Sequence, residues 1–420
     1  MEKFEINNIE TTLIKTNKFK TISFFVVLFG DFTKENATQR NLLAKLLQST
    51  TKNYPTKKAV ANKLFDLYDA NIFANSFPMY KTNLTVFGLQ IVNPSFVQDD
   101  VLLNEAISFF KEMIFNPNVD ENGFNLNEFN EKKRNLRDNI NNIYNNKTTY
   151  AFNRLLEIMG PDEIINVNSL GTLEDLEKIT PESLKEFYDN LIKNEMAKIY
   201  VTGDIDQDVI IPLLNDLNFS NQRRELEPSS KETYTAKEVR QVSDTQNINQ
   251  AQLMMGFRTN TNALDELYVP MAVFNMMFGG MVSSDLFRVV REENSLAYSV
   301  GSSIFFDNRL LIVSAGIDAK NYELATDLII KELEEYKQGK VDSDLLQVAK
   351  DNLNSSLSET ADDPFSNLTF IIKNSLLKNY SSEDIIELVK QVTVEDIVKA
   401  SRDVELDVIY CLKGEENGSN

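Results

Sequence analysis

The sequence contains no histidine in 420 residues. Histidine is the usual general acid or base at neutral pH, the base that activates serine and cysteine nucleophiles, and the commonest zinc ligand. Because only one cysteine is present as well, a zinc site would have to consist of carboxylates alone, which zinc seldom uses. We therefore predict no metal and no cofactor. Carboxylate chemistry of the glycosidase kind stays open, since 63 acidic residues make accidental carboxylate pairs inevitable.

The single cysteine, Cys411, lies in the apolar segment VIYCL. One thiol excludes an internal disulfide, which predicts a reducing, cytoplasmic location. The apolar surroundings predict a buried core thiol rather than a nucleophile. The longest apolar run, residues 22–29, is far shorter than the ~18 residues that a membrane helix needs, and the polar N-terminus lacks the features of a signal peptide. No membrane association is expected.

Positive charge is scarce relative to negative charge. The sequence has 43 lysines and arginines against 63 acidic residues, which gives a net charge of −20. An acidic surface repels phosphate backbones, so we expect no nucleic-acid binding. A basic peptide would be attracted by the same field, although solubility alone also accounts for such a charge.

Two segments about half a chain apart share one order of elements. In residues 172–204 and 381–414, an acidic capped helix is followed by a second helix and then by a β-branched strand that ends at glycine. The second helix begins at Thr180 in one copy and at Thr393 in the other, each with a glutamate in the first turn. The repeat predicts two homologous domains, as the length of the chain also suggests.

The predicted domains are 1–222 and 245–420, joined by a polar linker at 223–244. Strands that pair locally and helices that come in blocks favour an α+β fold with two tandem sandwich-like domains, each a mixed or antiparallel sheet covered by helices. The predicted strands lie near residues 11–16, 21–29, 72–80, 82–91, 196–202, 251–258, 297–306, 309–317 and 406–412. Helices are predicted among others near 36–49, 121–146, 149–159, 263–278 and 283–293.

One segment of the first half resembles a known peptidase family. Residues 46–55 (LLQSTTKNYP) and the helix predicted at 56–69 are similar to the stretch that follows the inverted zinc motif His-x-x-Glu-His in insulinase/pitrilysin peptidases. The five positions of that motif then fall on residues 41–45. In the family, two histidines four residues apart on a helix bind zinc, and the glutamate activates the metal-bound water.

The chemistry of that motif is missing here. Asn41, Ala44 and Lys45 share one face of the predicted helix, but an amide, a methyl group and an ammonium group replace two zinc ligands and a general base. The resemblance places the family's third ligand, a glutamate, near Asp138. We expect Asn41, Ala44 and Lys45 to line a cavity wall with Asp138 near Lys45, while Asp138 as an ordinary solvated carboxylate remains an alternative.

The second half carries a longer resemblance. Residues 278–287 (FGGMVSSDLF) and 290–300 (VREENSLAYSV) are similar to the family's second-domain segment, in which an arginine precedes a tyrosine by seven positions. The resemblance implies that Arg291 and Tyr298 contact the substrate carbonyl at the zinc site of an opposite half. The alternative is that Arg291 pairs with Glu292 or Glu293 and Tyr298 is half-buried sheet surface.

Taken over nearly the whole chain, the resemblance is to the short two-domain members that pair into a clamshell, as in mitochondrial processing peptidase. It implies a non-catalytic subunit that assists a zinc-bearing paralogous partner with peptide binding and oxyanion stabilisation, and that is not an enzyme on its own. Two alternatives remain: an inert homodimeric chamber that holds peptides, and a carboxylate enzyme of another class.

Overall fold

The structure is a computed structural model that describes residues 1–219, 225–235, 238–378 and 380–414. The chain forms two compact units. The first contains Met1–Asn142 and Val167–Glu227, and the second contains Ile143–Asn166 and Pro228–Asn420. Each unit combines one large sheet with helices, which confirms the α+β prediction.

The first unit is built on a six-stranded sheet with the order β1-β2-β8-β3-β5-β4. Its strands are β1 (Glu2–Ile6), β2 (Ile9–Lys15), β3 (Thr21–Asp31), β4 (Asn71–Met79), β5 (Thr82–Val92) and β8 (Met196–Gly203), with a separate two-stranded hairpin of β6 (Val119–Asp120) and β7 (Gly123–Phe124). The central β3 is a run of apolar and aromatic residues that is buried from Ile22 to Gly30. Such a run is typical of a strand covered on both faces.

Helices cover this first sheet. They are α1 (Ala37–Leu47), α2 (Lys57–Asp66), α3 (Pro94–Val97), α4 (Leu102–Phe115) and α5 (Leu126–Asn145), then α7 (Leu173–Lys178), α8 (Pro181–Asn194) and α9 (Gln207–Leu214); the intervening α6 (Lys147–Met159) belongs to the second unit. The apolar faces of α1, α4 and α8 share one core with Phe24, Val26 and Leu28 of β3. The predicted helix 121–146 begins later than expected, because the β6–β7 hairpin occupies its first residues.

The second unit has a five-stranded sheet with the order β11-β12-β10-β13-β9. Its strands are β9 (Arg240–Gln246), β10 (Ala251–Arg258), β11 (Ala297–Phe305), β12 (Leu310–Ile317) and β13 (Glu405–Gly414). Its helices are α6, α10 (Tyr268–Asn275), α11 (Tyr322–Lys337), α12 (Ser343–Asp362), α13 (Pro364–Ser375), α14 (Ser382–Gln391) and α15 (Val394–Arg402), with π-helical segments at Met276–Gly280 and Phe287–Glu293.

The two large sheets have one topology. Numbered by appearance in the chain, the strands β2, β3, β4, β5 and β8 of the first sheet and β9–β13 of the second both run in the spatial order 1-5-2-4-3. In each sheet the first and fifth strands are parallel and all other neighbours are antiparallel. This agreement supports the repeat predicted from residues 172–204 and 381–414.

The capping signals of the repeat are present. The Thr180 hydroxyl accepts a hydrogen bond from the Ser183 backbone N–H, and the Thr393 hydroxyl accepts one from the Asp396 N–H, so both helices begin with a capping box. Each helix leads into the matching strand, β8 or β13. The elements that suggested the repeat are therefore equivalent in local structure as well as in order.

Helix α6 departs from the predicted domain bounds. Its apolar residues Ala151, Leu155 and Met159 pack against the face of the second sheet that carries Met254 and Tyr410. A segment predicted inside domain 1–222 thus belongs to the second unit. The predicted linker 223–244 also contains the start of β9, whose alternation of exposed and half-buried polar residues gives little strand signal.

The single cysteine lies in β13, fully buried, as predicted. Burial raises the pKa of the Cys411 thiol to about 11, which keeps it protonated at neutral pH. Among the described residues, none of the helices has both the length and the apolar character to span a membrane.

Candidate functional site

Helix α1 carries Asn41, Ala44 and Lys45, the positions that the resemblance assigns to the zinc motif. It covers most of the helix predicted at 36–49, and its four leucines are buried: Leu42, Leu43, Leu46 and Leu47. The helix is also held by Arg40, which was not foreseen. The Arg40 guanidinium is buried, lies 2.5 Å from the Glu195 carboxylate at the end of α8, and donates from Nε to the Asp31 carbonyl at 3.1 Å.

Asn41 and Ala44 have become structural residues. The Asn41 amide nitrogen donates a 3.4 Å hydrogen bond to the Ser169 carbonyl, while Oδ1 is buried without a hydrogen-bond partner among the described residues. Ala44 is 4% exposed and belongs to the core. Neither residue is among those that line the nearby cavity, so the predicted wall of Asn41, Ala44 and Lys45 is not formed as a whole.

Lys45 and Asp138 do line one cavity, which we call the lysine pocket. It is an open depression of about 600 Å³ between α1 and α5, lined by Lys45, Gln48, Lys132, Asn135, Asp138 and Asn139. Burial lowers the pKa of Lys45, and repulsion from Lys132 lowers it further. The predicted ion pair of Lys45 with Asp138 is not formed in the part of the chain that the structure describes.

The residues at the altered motif do not fit a zinc ion. Zinc needs three or four nitrogen, sulfur or carboxylate ligands in a closed arrangement. Here an amide, a methyl group and a half-buried ammonium group occupy the positions at Asn41, Ala44 and Lys45. Within residues 1–219, 225–235, 238–378 and 380–414, no three side chains of histidine, cysteine, aspartate or glutamate come together as a metal site.

The second candidate site begins at the π-helical segment Phe287–Glu293. Arg291 lies in its last turn and is exposed, with its guanidinium 4.6 Å from the centre of the Phe287 ring. This cation–π contact orients the side chain without neutralising it. Short π-helical segments occur often at functional sites, because the wider turn re-aims side chains.

Arg291 does not pair with the neighbouring glutamates. Instead Arg288 forms ion pairs with Glu293 at 2.6 Å and with Asp285 at 2.7 Å. Asp285 in turn accepts a short hydrogen bond from the buried hydroxyl of Tyr336. Arg288 therefore engages both Asp285 and Glu293, and Arg291 has no ion pair among the described residues. The alternative of an Arg291 pair with Glu292 or Glu293 is not what the structure shows.

Tyr298 follows Arg291 across a tight turn. The Ser295 N–H donates to the Arg291 carbonyl at 3.1 Å, the Leu296 N–H donates to the Val290 carbonyl at 2.9 Å, and Ser295 has φ +52°. Tyr298 then lies at the start of β11, the edge strand of the second sheet, and 65% of its surface is exposed. The helix end and the strand start carry Arg291 and Tyr298 as predicted, and both side chains are available to a ligand.

Gly279 fixes the position of this segment against the sheet. A Cβ atom at Gly279 would lie 2.7 Å from the backbone nitrogen of Ser302 in β11, so only glycine permits this close approach. The Ser302 hydroxyl also donates to the Asn275 side-chain oxygen at 2.8 Å. The glycine pair belongs to the segment that carries the family resemblance, but its contact with Ser302 depends on a strand that follows about twenty residues later.

Comparisons with known proteins place the chain among peptidase relatives. Residues 178–353 match the family model described as "Peptidase M16 inactive domain". The chain is 30% identical over 410 residues to "Probable inactive metalloprotease YmfF" of Bacillus subtilis (strain 168), covering 97% of this chain and 96% of that protein. It is 24% identical over 298 residues to "Uncharacterized zinc protease YmxG" of the same organism, covering 70% and 71%.

A solved structure shows the same fold. The crystal structure of a conserved protein from Enterococcus faecalis V583 has a TM-score of 0.92 and 27% sequence identity, and the match covers 100% of this chain and 99% of that one. The likeness therefore extends over both units and is not confined to the segment around Arg291 and Tyr298.

Proposed function

The chain belongs to the M16 peptidase family, in its inactive form, and from that premise we propose that it is the non-catalytic subunit of an insulinase-type clamshell. In this proposal a zinc-bearing paralogue supplies hydrolysis, and this chain binds part of the peptide and stabilises the oxyanion. The observation that carries the proposal is the contrast between its two sites. Helix α1 has no zinc ligands at the positions that the resemblance assigns to the motif, whereas Arg291 and Tyr298 are exposed and Arg291 has no ion pair in the described chain.

Arg291 and Tyr298 suit an oxyanion that forms on a partner's substrate. A guanidinium and a phenol are strong donors in fixed directions, and donors that are oriented in advance stabilise a developing negative charge most effectively. The Phe287 ring contacts the guanidinium of Arg291, and the turn at Ser295 connects the helix end that carries Arg291 to the strand that carries Tyr298. The part of the chain that the structure describes offers these two donors but no cluster of three metal ligands, so we assign their role to a reaction in trans.

The first unit also offers a surface for an extended peptide. Strand β4 pairs with β5 on one side and is the last strand of its sheet, so its other edge is open within the described sheet. Extended peptides commonly add to such an edge through main-chain hydrogen bonds. Gln48 of α1 donates to the Ala74 carbonyl in β4 at 3.4 Å, which places this edge beside the lysine pocket.

Pairing with a zinc-bearing chain is supported by the relatives. One organism, Bacillus subtilis, has both a relative named as an inactive metalloprotease and a relative named as a zinc protease. The proposed partner is the homologue with an intact His-x-x-Glu-His motif from the genome that encodes this chain. The proposed location is the cytoplasm, in keeping with the single buried cysteine.

Turnover by the reconstituted pair tests the proposal. This chain alone should not hydrolyse a peptide, and the pair should turn over faster than the partner alone. In the pair, Arg291→Ala should lower turnover about 100- to 1,000-fold, because one oxyanion donor is worth that much. Tyr298→Phe removes only a hydroxyl and should have a smaller effect. Lys320→Ala, which removes an exposed cation of the same unit, is the matched control and should have no effect.

Assembly must be checked in the same samples by size-exclusion chromatography. Neither side chain supports the core, so both variants should form the pair as well as the wild type does. Unchanged turnover in both variants at full assembly would contradict the role of Arg291 and Tyr298. A stable homodimer that refuses the partner would favour the inert peptide-holding chamber instead.

A further inference from the structure

The lysine pocket is a charged cavity of the first unit that the proposed function does not yet use. We propose that it binds a carboxylate group of the bound peptide, so that the position of a lost metal now selects an anion. The inference rests on the proposed peptide-binding function and deepens it by naming a substrate class: peptides that present a side-chain or C-terminal carboxylate next to strand β4.

The pocket has an excess of positive charge. Lys45 and Lys132 contribute two ammonium groups, Asp138 contributes one carboxylate, and Gln48, Asn135 and Asn139 contribute neutral amides. Neither lysine forms an ion pair within the described residues. The pocket is thus a local excess of positive charge in a chain with a net charge of −20.

Three other cations of helices α2 and α5 have partners. On the same helix α5, Arg137 lies 2.6 Å from the Glu177 carboxylate, and Lys133 donates to the Ile179 carbonyl at 2.9 Å. From α2, Lys57 forms a close ion pair with Glu131. These three cations have partners, whereas Lys45 and Lys132, which line the pocket, have no ion pair among the described residues.

The surroundings of Lys45 favour the binding of an anion. It follows the core residue Ala44, so its stem is partly buried, and burial together with Lys132 lowers its pKa. Both effects disfavour the charged form, and the opposite charge of a bound carboxylate would offset them. Charge-assisted hydrogen bonds to a carboxylate in a partly buried site are about twice as strong as neutral ones.

Gln48 connects the pocket to the peptide path. Its amide nitrogen donates at 3.4 Å both to the Ala44 carbonyl in α1 and to the Ala74 carbonyl in β4. A peptide that adds to the edge of β4 thus runs beside the pocket, within reach of Lys45. A carboxylate is the group that two ammonium groups and side-chain amides recognise, and both an acidic side chain and a C-terminus can supply one.

Four strand-forming peptides of otherwise identical sequence provide the test. One carries a central glutamate and an amidated C-terminus, one a central glutamine and an amidated C-terminus, one glutamine and a free C-terminus, and one glutamate and a free C-terminus. Dissociation constants are measured by fluorescence anisotropy against the full chain. At least one carboxylate-bearing peptide should bind about tenfold more tightly than the glutamine amide. The pair of single-carboxylate peptides shows whether a side chain or a C-terminus is preferred.

Variants assign the preference to the pocket. Lys45→Met should abolish the preference for a carboxylate without weakening the binding of the peptide that has a glutamine and an amidated C-terminus. Lys132→Met should reduce the preference. Lys58→Met removes an exposed lysine of the same unit and should leave it intact. Equal affinity of all four peptides for the wild type, or a preference that survives Lys45→Met, would overturn the pocket assignment while peptide binding itself stands. Absence of binding by every peptide would overturn the peptide-binding function and this inference with it.

Discussion

Cys411 is a packing residue, and its chemistry can be tested directly because it is the only thiol. It is fully buried in β13, and burial raises its pKa to about 11. Both properties suppress the thiolate that alkylating reagents attack. We expect iodoacetamide at pH 8 to leave the folded protein unmodified and to modify one site after unfolding in guanidinium chloride, as measured by intact mass. Rapid labelling of the folded chain would place the thiol at the surface.

Asp307, in the turn between β11 and β12, carries an unfavourable charge. Burial raises the pKa of its carboxyl group, and Lys373 only partly offsets this. The unfolded pKa is ~3.9, so the folded state binds the proton more tightly, and stability falls as pH rises through the folded pKa. Asp307→Asn should therefore raise the free energy of unfolding at pH 7, by less than about 1 kcal/mol because the side chain is partly exposed.

The pH dependence separates this effect from a change in turn conformation. Below pH ~4 the wild-type carboxyl group is protonated in both states, so the advantage of the Asn variant should disappear there. Asp318→Asn, an exposed aspartate of the same unit, is the control and should show no such dependence. Urea unfolding at pH 3.5 and pH 7 makes the comparison. An equal difference at both pH values would mean that Asp307 acts through backbone preference alone.

At the scale of elements, α1 is held by the buried pair of Arg40 and Glu195. Both residues are less than 9% exposed, and the second Glu195 oxygen has no hydrogen-bond partner in the described chain. Removing one partner leaves a buried charge without compensation, so Glu195→Gln should lower the free energy of unfolding by about 3–5 kcal/mol. Asp189→Asn breaks the exposed pair with Lys185 on α8 and should change it by less than about 1 kcal/mol.

A double variant distinguishes charge from packing. Replacing both members, Arg40→Met with Glu195→Leu, removes the uncompensated charge and should recover most of the stability lost in Glu195→Gln. Thermal unfolding followed by circular dichroism measures all four proteins. If the double variant is as unstable as the single one, the residues matter for their shape rather than for their charges.

Elements with a strong local pattern could be predicted from the sequence, and elements defined by distant partners could not. The apolar run of β3 and the caps at Thr180 and Thr393 can each be recognised from a few consecutive residues. By contrast, β1 and β9 are mostly polar strands that exist because a neighbour pairs with them. Periodicity in a single window does not record such pairing.

The candidate site shows the same division. The positions of Arg291 and Tyr298, at a helix end and a strand start, follow from local patterns. The two ion pairs of Arg288, and the hydrogen bond that Tyr336 donates to Asp285 from a helix about fifty residues away, do not follow from those patterns. The lysine pocket likewise depends on α1 and α5 lying side by side, and no spacing within either helix predicts that.

At the scale of the whole molecule, one segment from the first half of the sequence belongs to the second unit. Residues 143–166 come from the first half of the sequence but belong to the second unit. A network of charges fixes them there: Arg258 of β10 makes a two-pronged contact with Glu163 at 2.9 and 3.0 Å, and its Nε lies 3.2 Å from the buried Asp407 carboxylate. Gly256 lets α6 approach, because a Cβ there would lie 2.3 Å from the Met159 sulfur.

Because α6 belongs to the second unit, we can predict how a fragment without this helix behaves. A fragment of residues 236–420 contains the whole second sheet but lacks α6, so Met254, Val408 and Tyr410 would lose their cover. Exposed apolar surface of that kind favours aggregation. We expect this fragment to be insoluble alone and to become soluble when it is co-expressed with residues 1–235, with the two fragments co-purifying through a tag on one of them.

Leu155→Asp in α6 should prevent this rescue, because the side chain is fully buried in that contact. Glu157→Gln, at an exposed position of the same helix, should not. A soluble 236–420 fragment that unfolds cooperatively on its own would show that α6 is dispensable to the second unit.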